Sequence, residues 1–121
     1  QAGCLAACVA GFSSSRVRLA RALVAMHQTP GAPWSLADLA GHAGMSRSAF
    51  AAAFKDAVGQ PPADYLADWR LALAQSRLRD GRPVKAIAAE LGYANASALS
   101  RAFSRKLGAS PRAWLDSVVP E

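Results

Sequence analysis

One pattern of apolar residues and breakers occurs twice in this chain, and few folds can accommodate it. In V-K-A-I-A-A-E-L-G-Y, Val84, Ile87, Ala88 and Leu91 fall at i, i+3, i+4 and i+7, one face of a helix, and Gly92 interrupts them. Asn95 has a side chain able to accept a backbone N–H and open a second helix. On that helix Ala98, Leu99, Ala102, Phe103 and Leu107 fall on one side, and Ser97, Ser100, Arg101, Ser104 and Arg105 on the other. Gly108 ends it, and Ser110-Pro111 reads as a cap followed by proline at the first position of another helix. The same order runs from Ser35. Ser35-Leu36-Ala37-Asp38 has the form of a capping box, and Leu36, Leu39, Ala40 and Ala43 form the apolar set. Gly44 is the turn, Ser46 the next cap, and Phe50, Ala53, Phe54 and Val58 the inward face of a helix stopped by Gly59. Leu39 pairs with Ile87 and Gly44 with Gly92. One extra residue in the second turn then shifts the register, so that Ser46 pairs with Asn95, Phe54 with Phe103, and Pro62 with Pro111. Two copies are too few for a solenoid, which needs about three. Two helix-turn-helix units on one chain satisfy the pattern.

The connecting sequence fits that arrangement. From Pro62 to Asp80 no breaker occurs, which predicts a helix of about five turns, with Asp64 and Asp68 near its start and Arg77 and Arg79 near its end complementing its dipole. Leu66, Trp69, Leu71, Leu73, Ala74 and Leu78 surround much of its circumference, predicting burial on several sides. Upstream, Ser13-Ser14-Ser15 offers caps for a helix through about Gln28. Its buried stripe is either Val17, Ala20, Val24 and His27, or Leu19, Leu23 and Met26. Thr29-Pro30-Gly31 stops it, and His27 at its end reads as a C-terminal cation or a packed ring. A short last helix, Pro111 to about Val118, carries Trp114 and Leu115 back onto the second unit. The expectation is an all-α domain of about seven helices over residues 13–121, preceded by a linker or domain remnant at 1–12.

Composition narrows the function classes. At 121 residues, 52% of them hydrophobic, the chain suits one domain with a modest core. Alanine dominates over β-branched residues, which favours helix. The net charge of +6 points to a polyanionic partner, nucleic acid or an acidic membrane surface. No apolar run reaches the roughly 18 residues of a membrane span, and the helical stripes leave too little apolar surface for a membrane-lying helix. The first residue is Gln1, which predicts a fragment or processed product. Cys4 and Cys8 are the only cysteines. Four-residue spacing in an apolar run does not make a zinc site, so they read as small hydrophobes. His27 and His42 lie in different segments, no paired carboxylates share a face, and no glycine-rich loop follows a strand. The expectation is a non-enzyme without metal or cofactor.

In a helix-turn-helix the second helix enters the major groove and its N-terminal residues meet base edges. In the second unit those residues are Ala96, Ser97, Ser100 and Arg101, with Arg105 and Lys106 a turn deeper, towards phosphate or solvent. Arg101 is the strongest candidate, since arginine bonds guanine O6 and N7 bidentately. In the first unit they are Arg47, Ser48, Ala51 and Ala52, with Lys55 beyond. Alanine methyls can touch a thymine methyl but cannot hydrogen-bond a base, so this helix reads few bases or rests on phosphates through Arg47 and Lys55. Backbone N–H groups near Ser35 and Ser46 are further phosphate candidates. The rival is an adaptor using the same architecture to bind a protein. Exposed serine-arginine faces argue against it, because protein interfaces are depleted of charge at their centres.

The segment I-A-x-x-L-G-Y-x-x-x-S-x-L-S-R-A-F-x-R-x-L-G-x-S-P-x-x-W resembles the C-terminal signature of AraC/XylS-type bacterial transcription regulators, and the likeness extends over roughly Arg16 to Leu115. The resemblance implies sequence-specific binding of double-stranded DNA for transcription regulation, with two recognition helices in successive major grooves. It also implies a cytoplasmic protein that meets RNA polymerase, and a larger regulator whose N-terminal part senses an effector or dimerises. The family commonly carries larger polar or basic side chains at the positions of Ala51 and Ala52, and there this chain departs from it.

Overall fold

The computed structural model describes residues 16–118, among which there are seven helices and no strand. The helix α1 is described over residues 16–28. It is followed by α2 (Leu36–Ala43), α3 (Arg47–Val58), α4 (Pro62–Arg79), α5 (Val84–Glu90), α6 (Ala96–Leu107) and α7 (Pro111–Val118). The expected caps at Ser13 to Ser15, the linker at 1–12 and both cysteines lie outside the described residues. The described chain divides into two units, one of residues 16–29 and 34–65, the other of residues 30–33 and 66–118.

In the first unit α1 buries Leu19, Ala22 and Met26 and half-buries Leu23, the full i, i+3, i+4, i+7 quartet. This decides between the two expected stripes, since Val17 and Val24 are exposed. Leu39, Ala40 and Ala43 of α2 and Phe50 and Phe54 of α3 complete the apolar set. The Phe54 ring meets Phe50 at 5.6 Å and the edge of Tyr65 at 5.6 Å. His27, although exposed, stacks on Tyr65, with Nε2 2.7 Å from the phenol oxygen. Leu36 departs from expectation, being 39% exposed. It is the first residue after the Ser35 cap, and a side chain there leans towards the helix N-terminus, beyond the packed face.

In the second unit Leu71, Ala74 and Leu78 of α4 join Ile87, Ala88, Leu91, Leu99 and Phe103 in one cluster. Tyr93, Leu107, Trp114 and Leu115 close its margins. Trp114 and Phe103 make an edge-on ring contact at 5.6 Å, and the Arg79 guanidinium lies 5.4 Å from the Trp114 ring centroid. The α4 helix is less enclosed than its apolar circumference suggested. Trp69 and Leu73 are only half-buried, and Ala67 and Ala72 are exposed. Alanine there serves helix propensity rather than burial.

A candidate nucleic-acid interface on α3 and α6

The two copies match at the level of single hydrogen bonds. At the end of α2 the Met45 N–H donates to the Ala40 carbonyl at 2.9 Å; at the end of α5 the Tyr93 N–H donates to the Ala88 carbonyl at 2.9 Å. Each bond closes the helix C-terminus around a left-handed glycine, Gly44 (φ 67°) or Gly92 (φ 84°). Ser46 Oγ then accepts the Ala49 N–H at 3.2 Å to start α3, and Asn95 Oδ1 accepts the Ala98 N–H at 2.8 Å to start α6. The Ser35–Asp38 capping box forms in both directions, at 3.0 and 3.1 Å, and Ser110 Oγ caps α7 through the Ala113 N–H at 3.2 Å.

The second helix of each unit is held by its inner face. Leu99 and Phe103 of α6 and Phe50 and Phe54 of α3 are fully buried. That packing fixes the rotation of each helix and so decides what the outer face presents. On α6, Ser97, Arg101, Ser104 and Arg105 are exposed, with Ser100 and Ala96 half-buried at the edge. Arg101 and Arg105 enter no ion pair among the described residues. Lys106 does: its Nζ lies 3.1 Å from Asp68 Oδ1 on α4, so an existing partner competes for the charge expected to face phosphate or solvent. On α3, Arg47, Ser48, Ala52 and Lys55 are exposed and Ala51 half-buried. The arrangement offers guanidinium, ammonium and hydroxyl donors from the outer faces of two helices, with nothing apolar large enough to anchor a buried protein contact.

Ser104 continues the stripe of Ser97 and Arg101 as an exposed hydroxyl, as its place on the polar face predicted. Two features escaped the sequence reading. Asp56 is exposed one turn beyond Ala52, on the outer face of α3; repeat register would have found it, because it pairs with Arg105. The other is a strap at the turn before α6. The Arg70 guanidinium donates from Nε to the Pro30 carbonyl (2.7 Å) and from Nη2 to the Ala32 carbonyl (2.8 Å). This seats Gly31 so closely that a Cβ on it would lie 2.1 Å from the Glu90 carbonyl oxygen. Burial pushes the Tyr93 phenol above its ordinary value, opposed by the charge of Arg70. The Glu90 carboxylate pairs with Arg77 at 3.2 Å and with Arg82. No local periodicity announces contacts between residues 30–33 and α4.

Among the described residues no group of three His, Cys, Asp or Glu side chains is placed to hold a metal ion, and no helix is long and apolar enough to cross a membrane.

A family model described as a helix-turn-helix domain matches residues 39–117. A protein of Streptomyces antibioticus named as an AraC-like transcription regulator is 48% identical over 103 residues, covering 84% of this chain and 34% of that protein. The chain thus spans about a third of the length of the curated relatives it matches. Among solved structures, an AraC-type DNA-binding regulator from Chromobacterium violaceum shares the fold at a TM-score of 0.77 and 23% identity, covering 90% of this chain and 99% of that one. The DNA-binding domain of the global transcriptional factor AdpA, solved in complex with a target DNA, has a TM-score of 0.73 at 28% identity, covering 83% of this chain and 91% of that one.

Proposed function

This chain belongs to the AraC-type helix-turn-helix family, and from that premise we propose that it binds double-stranded DNA sequence-specifically to regulate transcription. The outer face of α6 carries the proposal. Its fully buried Leu99 and Phe103 leave Ser97, Arg101, Ser104 and Arg105 pointing away from the core, where a major groove takes a recognition helix. The AdpA structure, with its target DNA, supports the same use of the fold.

Arg101 is assigned to base edges as a bidentate donor to guanine, with Ser97 and Ser100 as shorter hydrogen-bonding partners and Ala96 as an apolar neighbour. Arg105 meets phosphate. On α3, Arg47 and Lys55 hold phosphates, Ser48 supplies one hydroxyl, and Ala51 and Ala52 offer methyl contact to thymine. Residues 13–121 form the DNA-binding part of a longer cytoplasmic regulator, in which a preceding part senses an effector or dimerises and RNA polymerase is a further partner. Selection of bound sites from a pool of random duplexes tests the proposal. A recovered consensus is the expected result; bound pools no different from the input would refute sequence-specific binding.

A further inference from the structure

Repeat register sets Ser48, Ala52 and Asp56 of α3 against Ser97, Arg101 and Arg105 of α6, and all six are exposed. Along one stripe, two cations in the second unit correspond to a neutral methyl and an anion in the first. Asp56 has no structural reason to be acidic. It makes no ion pair among the described residues. It also stands in the last turn of α3, where the negative end of the helix dipole disfavours a carboxylate. A charge that stabilises nothing within its own unit, on the face a polyanion would approach, acts on the polyanion.

Resting on the proposed DNA binding, we infer that Asp56 is a repulsive determinant: it weakens the hold of the first unit on DNA phosphate, so that α6 carries the larger share of affinity. Where Arg105 draws a phosphate oxygen in, the Asp56 carboxylate repels the corresponding one. Lys55 beside it offsets that repulsion only where its flexible stem can turn towards a phosphate. Weakening one half in this way lowers binding to every sequence alike and leaves base choice to the half with hydrogen-bonding groups, a use of repulsion to shape specificity. Asp56 could instead accept from cytosine N4. Its place in the last turn, away from the N-terminal residues that reach base edges, favours the phosphate.

The test compares wild type, Asp56→Asn and Asp56→Lys on a random-sequence duplex and on a site selected with the wild type, at a temperature where melting curves show all three folded. Asp56→Asn should tighten both complexes by about fivefold, as removing repulsion between unit charges ~4 Å apart in water does. Asp56→Lys should tighten them further and steepen the salt dependence by up to about 0.9 in log–log slope. Binding that is unchanged by Asp56→Asn overturns the inference. So does binding that weakens with loss of preference at one base pair, which would make Asp56 a base reader. A wild type that binds no duplex fails the underlying functional proposal as well, whereas a wild type that binds without gain in Asp56→Asn fails this inference alone.

Discussion

Arg47, the first residue of α3, and Arg101, midway along α6, are both exposed arginines, yet their neighbours differ. Arg101 stands among Ser97, Ser100 and Ser104; beyond Ser48, Arg47 is followed along its face by Ala51 and Ala52. Arg101→Ala is therefore expected to cost roughly 1–3 kcal/mol on the best site and to relax preference at about one base pair. Arg47→Ala should weaken all sequences nearly equally, because a phosphate contact carries no base information. Site selection with both variants checks this, and an exchange of the two phenotypes would reverse the assignments. The inner faces allow a matched comparison. Phe54 and Phe103 are repeat partners and both fully buried, so replacement of either by alanine should destabilise by about 3–5 kcal/mol. Thermal or denaturant unfolding of the two variants measures it; an unmoved midpoint for either would mean that its helix is rotated.

At the scale of elements, turns and caps decide how α3 and α6 are presented. Asn95 is the side-chain cap of α6, and Asn95→Ala should cost about 1 kcal/mol in stability, read from unfolding curves. Gly31→Ala should cost more, because the new Cβ meets the backbone oxygen of Glu90, which cannot swing aside as a side chain would. A loss of about 1–3 kcal/mol is expected, as for other overpacked sites, and a variant as stable as wild type would show that residues 30–33 are not seated as described. The same contrast separates what was legible in the sequence from what was not. Caps at Ser35, Ser46, Asn95 and Ser110, glycine turns at 44 and 92, and the inward phenylalanines depend on residues a few positions apart, and their spacing announces them. The Arg70 strap joins residues 38 and 40 positions apart, and the Lys106–Asp68 pair joins α6 to α4. Such partners are chosen by packing, which leaves no periodic trace. Leu36 looked buried for a related reason: periodicity marks a face but not where along the helix its neighbour ends.

For the molecule as a whole, the net charge of +6 is unevenly placed. On the two outward helix faces, α3 carries Arg47 and Lys55 beside Asp56, whereas α6 carries Arg101 and Arg105 with no acid beside them. The repeat therefore conserved the scaffold while the outer faces diverged, and the two halves are expected to contribute unequally to one binding event. Sequence-independent attraction is the foundation on which any base reading rests, since neutralised phosphates release counterions. The most direct test of the central claim is the affinity of the chain for duplex DNA measured across a series of salt concentrations. If Arg47, Lys55 and Arg105 each neutralise one phosphate, the plot of log affinity against log salt falls with a slope of roughly −2.7. Binding that is absent at low salt, or that does not change with salt, would contradict it.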